Sequence, residues 1–176
     1  MATLSVTNIF NLSKATLVKF GALDWIADAV ADAIANSESV GNRICGLYYL
    51  ESYCLQLKSG RVRGDIEPIV SQEKAGIVRV DAKFGFAQPA FQRGIVPARE
   101  AALKNGICSL AIGHAHTCTS LGYFTEQIAK SNLIGIGFTN ASPIVAAPGG
   151  KSRIIGTNPI AFSVPDGKGN TAIHFD

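Results

Sequence analysis

The clearest pattern of apolar and polar positions runs from Leu23 to Ser37. Apolar side chains recur there at every fourth position, at Ile26, Val30 and Ile34. This spacing predicts an amphipathic helix with one buried face. Carboxylates recur with the same spacing on another face, at Asp24, Asp28 and Asp32. Three like charges with no histidine nearby favour a solvated face over a metal site.

A second helical pattern runs from about Leu47 to Leu57 and meets a helix-stop signal at Ser59-Gly60. The first 60 residues are therefore predicted to be mostly helical. We expect residues 1–64 to form a helical N-terminal domain, with the boundary between Gly60 and Pro68.

Strand and helix patterns alternate after this boundary. Strands are predicted over Gly76 to Asp81, Cys108 to Gly113, Leu133 to Thr139 and Pro159 to Val164. Helices are predicted over Pro89 to Lys104 and Ser120 to Ser131. Strands alternating with helices are typical of an α/β layered domain. The predicted fold class is thus α/β, with a mixed-sheet domain over residues 65–176.

The last residues, Thr171 to Asp176, have the pattern of a further strand. We expect this strand to be buried and to lack a partner, which is an unfavourable way for a domain to end because an unpaired edge invites association. The α/β domain is therefore expected to be incomplete, or truncated.

Composition narrows the class of protein. The 176 residues are 47% hydrophobic and 16% charged, which is enough for one large or two small globular domains. No apolar run approaches the roughly 20 residues of a membrane span, and the N-terminus lacks a secretory signal, so we expect a cytoplasmic protein with no membrane partner. The net charge of +3 is scattered, and the small cluster of Lys58, Arg61 and Arg63 does not predict nucleic-acid binding.

The four cysteines are predicted to be free thiols. They show no C-x-x-C spacing, which argues against a zinc site, and they lie within apolar segments: Cys45, Cys54, Cys108 and Cys118.

The glycine-rich segment from Pro148 to Ser152 ends in Gly-Lys-Ser, like a phosphate-binding P-loop. The spacing rejects this interpretation, because Val145 stands where the motif requires its first glycine. Taken alone, the segment is more typical of an ordinary surface loop.

Several motifs carry more information together than singly. They are VDAKFGFAQPAF from Val80, HAHTCTSLGYF from His114, FTNASP from Phe138, APGG from Ala147 and GTNP from Gly156. In order and spacing they resemble the malate/L-lactate dehydrogenase family of NAD(P)-dependent 2-oxo acid and cyclic 2-imino acid reductases. A helix resembling the family's own, GLYYLESYCLQLKSGRV from Gly46, extends the resemblance over nearly the whole chain, which matches the N-terminal half of these enzymes.

The resemblance implies a proton donor and a carboxylate-binding residue, and this chain departs from the family at both. The family's Ser-His-Gly becomes Ile44-Cys45-Gly46, and its arginine four residues later becomes Tyr49. A thiol can donate a proton if its surroundings tune its ordinary pKa of about 8.5. Cys45 is equally well explained as a small buried residue on an apolar face.

The family's second histidine falls on Thr117, so His116 is the nearest candidate acid, base or cofactor contact, and His114 is the second. We expect these two histidines, at i and i+2 after a strand, to point the same way, and without a third ligand we predict no metal. The resemblance implies NAD or NADP as cofactor, held by His116, Thr117, Cys118, Thr119, Ser120, Asn140 and Asp176. It implies substrate contacts at Tyr49, Thr157 and Asn158.

Two hypotheses remain open. The first is an NAD(P)H-dependent reductase acting on a small-molecule 2-oxo acid or cyclic 2-imino acid, with Cys45 or His116 as proton donor. The second is a catalytically silent, oligomeric structural module. In either case we expect a homo-oligomer, because an interrupted domain leaves apolar surface and a strand edge uncovered.

Overall fold

The computed structural model describes residues 3–176 and divides into two compact units. The first unit ends at Ser120, and the second runs from Leu121 to Asp176.

Three helices open the first unit: α1 (Val6–Lys19), α2 (Asp24–Ser39) and α3 (Leu47–Lys58). The apolar face predicted for α2 is buried, with Ile26, Val30 and Ile34 each at most 1% exposed. Its acidic face is solvated and paired, because the Lys14 ammonium lies 3.0 Å from Asp24 and 2.9 Å from Asp28. The predicted helices over residues 23–37 and 47–57 are therefore both present.

A three-stranded mixed sheet follows, with β1 (Ile69–Lys74), β2 (Ile77–Asp81) and β3 (Ser109–Gly113) in that order. β1 is antiparallel to β2, whereas β2 and β3 are parallel and are joined by α4 (Ala87–Asn105). Val80 faces α4 with its partner Ile112, and the two lie in a common apolar cluster with Ala90. The sequence did not predict β1, whose side chains are mostly exposed and show no apolar alternation.

The predicted domain boundary between residues 64 and 65 lies inside the first unit. Helix α2 packs against α4, and the core of the helical segment includes Val62 and Phe86 from either side of that boundary. The contacts therefore divide the chain at Ser120, well beyond the predicted position, because one apolar core joins the N-terminal helices to the start of α4.

The second unit contains α5 (Gly122–Lys130) and an antiparallel sheet of order β4-β7-β8. Its strands are β4 (Gly135–Phe138), β7 (Ile160–Pro165) and β8 (Thr171–Phe175). A short hairpin, β5 (Val145–Ala146) with β6 (Arg153–Ile155), lies in the connection and was not predicted. The α/β class is confirmed, but the strands are divided among a mixed sheet and two antiparallel ones.

The C-terminal strand differs from its prediction in two respects. β8 pairs with β7 along its length, and its residues are mostly exposed. The expected burial was wrong because β8 is an edge strand with its apolar side chains on the open face of the sheet.

The four cysteines are free thiols, as predicted, with Cys54 buried and the other three partly exposed. Among the described residues no helix is long and apolar enough to cross a membrane.

Candidate functional site

Tyr53 occupies the centre of a buried aromatic cluster in the first unit. Helix α3 carries this side chain, which is 0% exposed. Its ring packs edge-on against Phe86 at 5.4 Å and against His116 at 6.0 Å between centroids. Tyr49, one helical turn earlier, lies 5.8 Å away on the other side. Tyr53 was not predicted as a site residue from the sequence. It lies four residues after Tyr49 on the same face of the helix, and this spacing could have indicated that the two side chains share a site.

The loops after β2 and β3 bring His116 to this cluster. Backbone hydrogen bonds continue the parallel pairing past the strand ends, from the His116 N–H to the Gly85 carbonyl (2.7 Å) and from the Ala87 N–H to the His116 carbonyl (3.1 Å). The cluster therefore lies outside the carboxyl ends of two parallel strands, where open α/β sheets usually bind ligands.

The environment of His116 keeps its imidazole neutral. Burial lowers the pKa of His116 from its ordinary value of 6.5, and the positive charge of Arg61 lowers it further. Its Nε2 atom is buried and has no hydrogen-bond partner among the described residues. A neutral imidazole with a free ring nitrogen can accept or donate one hydrogen bond to a bound molecule.

His114 does not point the same way as His116, contrary to the prediction. It is exposed, its ring stacks near Phe84, and its Nδ1 lies 3.0 Å from Asp81. The strand alternation fails because the His114 backbone is left-handed, with φ of 49°. The Lys83 N–H and the His114 ring both lower the pKa of the Asp81 carboxyl.

The predicted cofactor loop, Thr117 to Ser120, is tied to Tyr53. The Tyr53 hydroxyl donates to Thr119 Oγ1 (3.2 Å), which in turn donates to the Cys118 carbonyl (2.6 Å). Thr119 has a φ of 57°, an unusual conformation for a β-branched residue that the surrounding contacts must hold in place. Burial raises the pKa of the Tyr53 phenol, so the hydroxyl keeps its proton and remains a donor.

Gln88 supports the same loop from the start of α4. Its Nε2 donates to the Cys118 carbonyl at 3.2 Å, while its Oε1 is buried without a partner among the described residues. Gln88 was not singled out by the sequence analysis, although it belongs to the motif that begins at Val80.

Cys45 lies in a 3-10 turn directly before α3, partly exposed and close enough to Tyr53 for its charged form to influence the Tyr53 pKa. The amino end of α3 is capped by Glu38, whose carboxylate accepts the Leu47 N–H at 2.8 Å. Tyr49, His116 and Thr119 thus contact one buried phenol, and Cys45 and Cys118 lie near enough to raise its pKa.

The remaining predicted site residues lie in the second unit. Asn158 Oδ1 accepts the Ala141 N–H at 2.9 Å, and the Pro159 carbonyl accepts the Thr139 N–H at 3.4 Å. These bonds bring the segment around Asn140 beside the loop that carries Thr157, and both of these side chains are exposed. Asn158 uses one hydrogen bond of its amide oxygen to shape the loop, and its NH2 group is a donor for a ligand.

Asp176 lies at the amino end of α5, where its Oδ2 accepts the Gly122 N–H at 2.9 Å. Beside it, His174 Nδ1 lies 2.8 Å from the buried Ser163 hydroxyl, which donates to Thr125 at 2.8 Å. Asp176 and Thr157 therefore have different neighbours within the second unit.

The glycine-rich segment is a surface turn, as its residues alone predicted. The Gly150 N–H donates to the Ala147 carbonyl at 2.8 Å, and Gly149 adopts a φ of 77°. The segment connects β5 to β6 and is exposed, with no helix following it.

The first unit has features that suit a nicotinamide. The carboxamide of a nicotinamide carries N–H donors and a carbonyl acceptor. Two of the buried atoms of this unit that have no hydrogen-bond partner among the described residues could bond to it: Gln88 Oε1 as an acceptor, and His116 Nε2 as an acceptor or a donor according to its tautomer. In the described residues no three His, Cys, Asp or Glu side chains are grouped as metal ligands.

Comparisons with known proteins all match this chain to dehydrogenases and reductases. A family model described as malate/L-lactate dehydrogenase matches residues 4–176. The chain is 37% identical to the (2R)-3-sulfolactate dehydrogenase (NADP(+)) of Chromohalobacter salexigens over 92% of this chain and 48% of that protein. It is 31% identical to the Δ1-pyrroline-2-carboxylate/Δ1-piperideine-2-carboxylate reductase of Pseudomonas syringae pv. tomato, over 97% of this chain and 50% of that protein.

The fold agrees with these sequence matches. The crystal structure of Δ1-piperideine-2-carboxylate reductase from Pseudomonas syringae pv. tomato superposes with a TM-score of 0.93 and 32% identity, covering 100% of this chain and 53% of that one. The chain therefore spans about half the length of the relatives it matches.

Proposed function

Because the chain belongs to the malate/L-lactate dehydrogenase family, we propose that it serves in the NAD(P)H-dependent reduction of a small 2-oxo acid or cyclic 2-imino acid. The observation that supports this most directly is the convergence of Cys45, Tyr49, His116 and Thr119 on the buried Tyr53. These residues come from two segments that lie far apart in the sequence, and they include both proposed proton donors.

In the proposed reaction the cofactor supplies a hydride and the chain supplies a proton. A reduced nicotinamide, when bound, supplies a hydride to the substrate carbon next to the carboxylate. The chain must supply a proton to the adjacent oxygen or nitrogen, and we assign this to Cys45 or His116. Burial and the charge of Arg61 lower the pKa of His116, so at neutral pH it acts as a donor only through a ring N–H, whereas Cys45 would donate the proton of its thiol.

A cyclic 2-imino acid is the substrate class we favour. An imine nitrogen is basic enough to be protonated before hydride arrives, which lessens the need for a strong acid. The chain has a thiol at Cys45 and a phenol at Tyr49, where the family has an imidazole and a guanidinium. We assign recognition of the substrate carboxylate to the exposed Thr157 hydroxyl with the Asn158 amide.

The cytoplasm is the compartment we propose, since a reducing environment suits a chain with four free thiols, one of them buried and three partly exposed.

The decisive experiment measures NADH and NADPH oxidation by the purified chain with cyclic 2-imino acids and 2-oxo acids. Replacement Cys45→Ala is expected to lower turnover roughly 100-fold if this thiol is the proton donor, the usual scale for general acid catalysis. Cys108→Ala is the matched control, because Cys108 is a partly exposed thiol of the same unit that, among the described residues, donates only to the neighbouring Ser109 carbonyl. Equal turnover of the two variants would remove Cys45 from the mechanism.

The silent structural module remains the second candidate, and the open apolar face of the β4-β7-β8 sheet favours it. Calorimetric titration with NADH and NADPH distinguishes the reductase from the structural module. Binding of either cofactor supports the reductase, and absence of binding by both supports the module.

A further inference from the structure

Arg61 lies in the short segment that follows α3. The next residue, Val62, is 3% exposed and belongs to the core cluster that contains Tyr53 and Phe86. Its N–H donates to the Gln56 carbonyl at 3.2 Å, which ties the segment to α3. Arg61 itself is exposed, so its side chain extends from a fixed backbone beside the aromatic cluster.

The same segment is bonded to the loops that carry His116. The Arg63 N–H donates to the Phe84 carbonyl at 2.9 Å, and the Phe84 N–H donates to the His114 carbonyl at 2.7 Å. The segment with Arg61, the loop after β2 and the loop after β3 therefore lie side by side. This closeness has an electrostatic effect, because the charge of Arg61 lowers the pKa of His116.

Arg61 has no counter-charge in the described part of the chain. It forms no ion pair there, whereas its neighbour Arg63 lies 3.2 Å from the Asp65 carboxylate. Two buried polar atoms of the same unit, Gln88 Oε1 and His116 Nε2, also lack hydrogen-bond partners among these residues. A lone guanidinium and polar atoms without partners favour an anionic ligand over a neutral one.

A third buried atom without a partner in the described residues is Gln56 Oε1. Gln56 lies three residues after Tyr53 on α3, so the two side chains are on the same face of the helix. An amide oxygen only accepts hydrogen bonds, and it therefore requires a donor from a ligand. A protonated cyclic imine has an N–H next to its carboxylate, which a 2-oxo acid lacks.

We propose that Arg61 supplies the positive charge that recognises the substrate carboxylate, and that the site therefore selects acids with a single anionic group. This inference rests on the proposed function. Tyr49 replaces the family's arginine, and the Thr157 and Asn158 side chains, which we assign to the carboxylate, are uncharged. A guanidinium can compensate the charge and match both carboxylate oxygens with parallel N–H donors.

The selection for a single anionic group follows from the charges of the neighbouring side chains. Tyr49 and Thr119, which contact Tyr53, carry hydroxyl groups, and burial together with Arg61 disfavours a charge on His116. A second carboxylate or a sulfonate would have no counter-charge among these residues, and an uncompensated charge is costly in a partly buried site. We therefore expect pyruvate or Δ1-pyrroline-2-carboxylate to be preferred over oxaloacetate.

The first test does not depend on the cofactor. Picolinate, a planar ring with a carboxylate next to its nitrogen, is titrated into the full chain, with pyridine as the control that lacks the carboxylate. Binding is followed by calorimetry and by NMR titration of the His116 imidazole, which is assigned with His116→Gln. Picolinate is expected to raise the pKa of His116, because an anion beside Arg61 offsets the charge that lowers it.

Variants of the full chain test the role of Arg61 directly. Arg61→Gln is expected to weaken picolinate binding roughly 10- to 100-fold, the loss typical of one charge-assisted pair. Lys58→Gln is the matched control, because it removes the same charge from an exposed residue at the end of α3, and its effect is expected to stay below about twofold. Arg61→Lys keeps the charge and is expected to retain part of the affinity.

Three outcomes of this titration overturn the proposal. They are a wild type that does not bind picolinate, pyridine that binds as tightly as picolinate, and equal affinities of Arg61→Gln and Lys58→Gln.

The second test is steady-state turnover with NADH and NADPH. The wild type is expected to favour acids with one charge over oxaloacetate by at least about tenfold in kcat/KM. Arg61→Gln is expected to raise KM more than it lowers kcat, because the carboxylate is bound alike in the ground and transition states. Equal kcat/KM for pyruvate and oxaloacetate overturns the selection. Absence of turnover with every acid contradicts the proposed function, and the picolinate titration then decides the role of Arg61.

Discussion

Tyr53 connects three segments that are distant in the sequence. Its ring packs on Phe86 and His116, and its hydroxyl donates to Thr119, so one side chain of α3 holds both the start of α4 and the loop after β3. The strained backbone of Thr119 is held by this bond and by its own bond to the Cys118 carbonyl. The proposed proton donor His116 and the cofactor-loop residue Thr119 thus both depend on this phenol for their position.

Replacement Tyr53→Phe should lower the free energy of unfolding by about 1 kcal/mol, because it removes one hydrogen bond and keeps the ring. Tyr53→Ala should cost roughly 3–5 kcal/mol, because it also leaves a cavity. Urea denaturation measures both, with Tyr48→Phe as the control, since Tyr48 is 76% exposed on the same helix. A Tyr53→Phe protein as stable as Tyr48→Phe would show that the Thr119 bond contributes nothing.

His116 should make the protein less stable in mild acid. Its pKa in the folded protein is lowered from 6.5, so the unfolded chain takes up the proton first. The stability contributed by the neutral imidazole is complete above pH 6.5 and is lost as the pH falls from there toward the lowered pKa.

The measurement is the free energy of unfolding as a function of pH for the wild type and for His116→Gln, which does not titrate. The two other histidines are the same in both proteins, so the difference between the curves belongs to His116. A wild-type curve parallel to that of the variant between pH 7 and the acid limit of folding contradicts the assignment.

At the scale of elements, helices and strands are fitted to one another by small residues at specific contacts. Gly135 and Gly137 admit α5 close to the second sheet, where their added Cβ atoms would meet Thr125 and neighbouring side chains. In the first unit the same closeness occurs at Gly94 of α4, whose added Cβ would meet the Val80 and Leu110 side chains of the sheet. In each unit, glycine therefore allows the helix to lie close to the sheet.

Replacement Gly135→Ala should destabilise the second unit by about 1–3 kcal/mol, because the Thr125 carbonyl is backbone and cannot move aside cheaply. Gly113→Ala is the control, since an added Cβ there meets nothing within 4 Å and its φ is not positive. Thermal unfolding monitored by circular dichroism compares the two. Equal midpoints for the two variants would mean that α5 can shift without cost.

At the scale of the whole molecule, nearly all of this chain aligns with its relatives, but it spans only about half of their length. Its two units have different candidate roles under the proposed function. The first contains the proposed proton donors and Arg61, and the second contains the proposed carboxylate-binding residues Thr157 and Asn158.

Cofactor binding should stabilise the folded chain, because a ligand that binds only the native state shifts the equilibrium by mass action. NADPH or NADH at about 100 times its dissociation constant should add roughly 2.7 kcal/mol to the free energy of unfolding. The increase is measured by denaturation with and without each dinucleotide, with AMP as the control for the adenosine part alone. An unchanged transition with both dinucleotides would contradict nicotinamide binding by this chain.

The sequence by itself determined the local elements and the family. Helix α2 followed from the fourfold spacing of Ile26, Val30 and Ile34, and β2 followed from its alternation, because these periods reflect burial of one face of a single element. The motifs around His114, Ala147 and Gly156 identified the family because their order and spacing are specific together.

The tertiary structure alone decided what depends on contacts between distant segments. β1 forms by pairing with β2 and has no apolar alternation of its own. The first compact unit extends along the chain to Ser120 because one core crosses the predicted boundary. The divergence of His114 from His116 follows from a left-handed backbone, and the central place of Tyr53 follows from loops that only the parallel strands bring together. Pairing register and burial are set between residues far apart in sequence, and a local pattern carries no information about which partner each will meet.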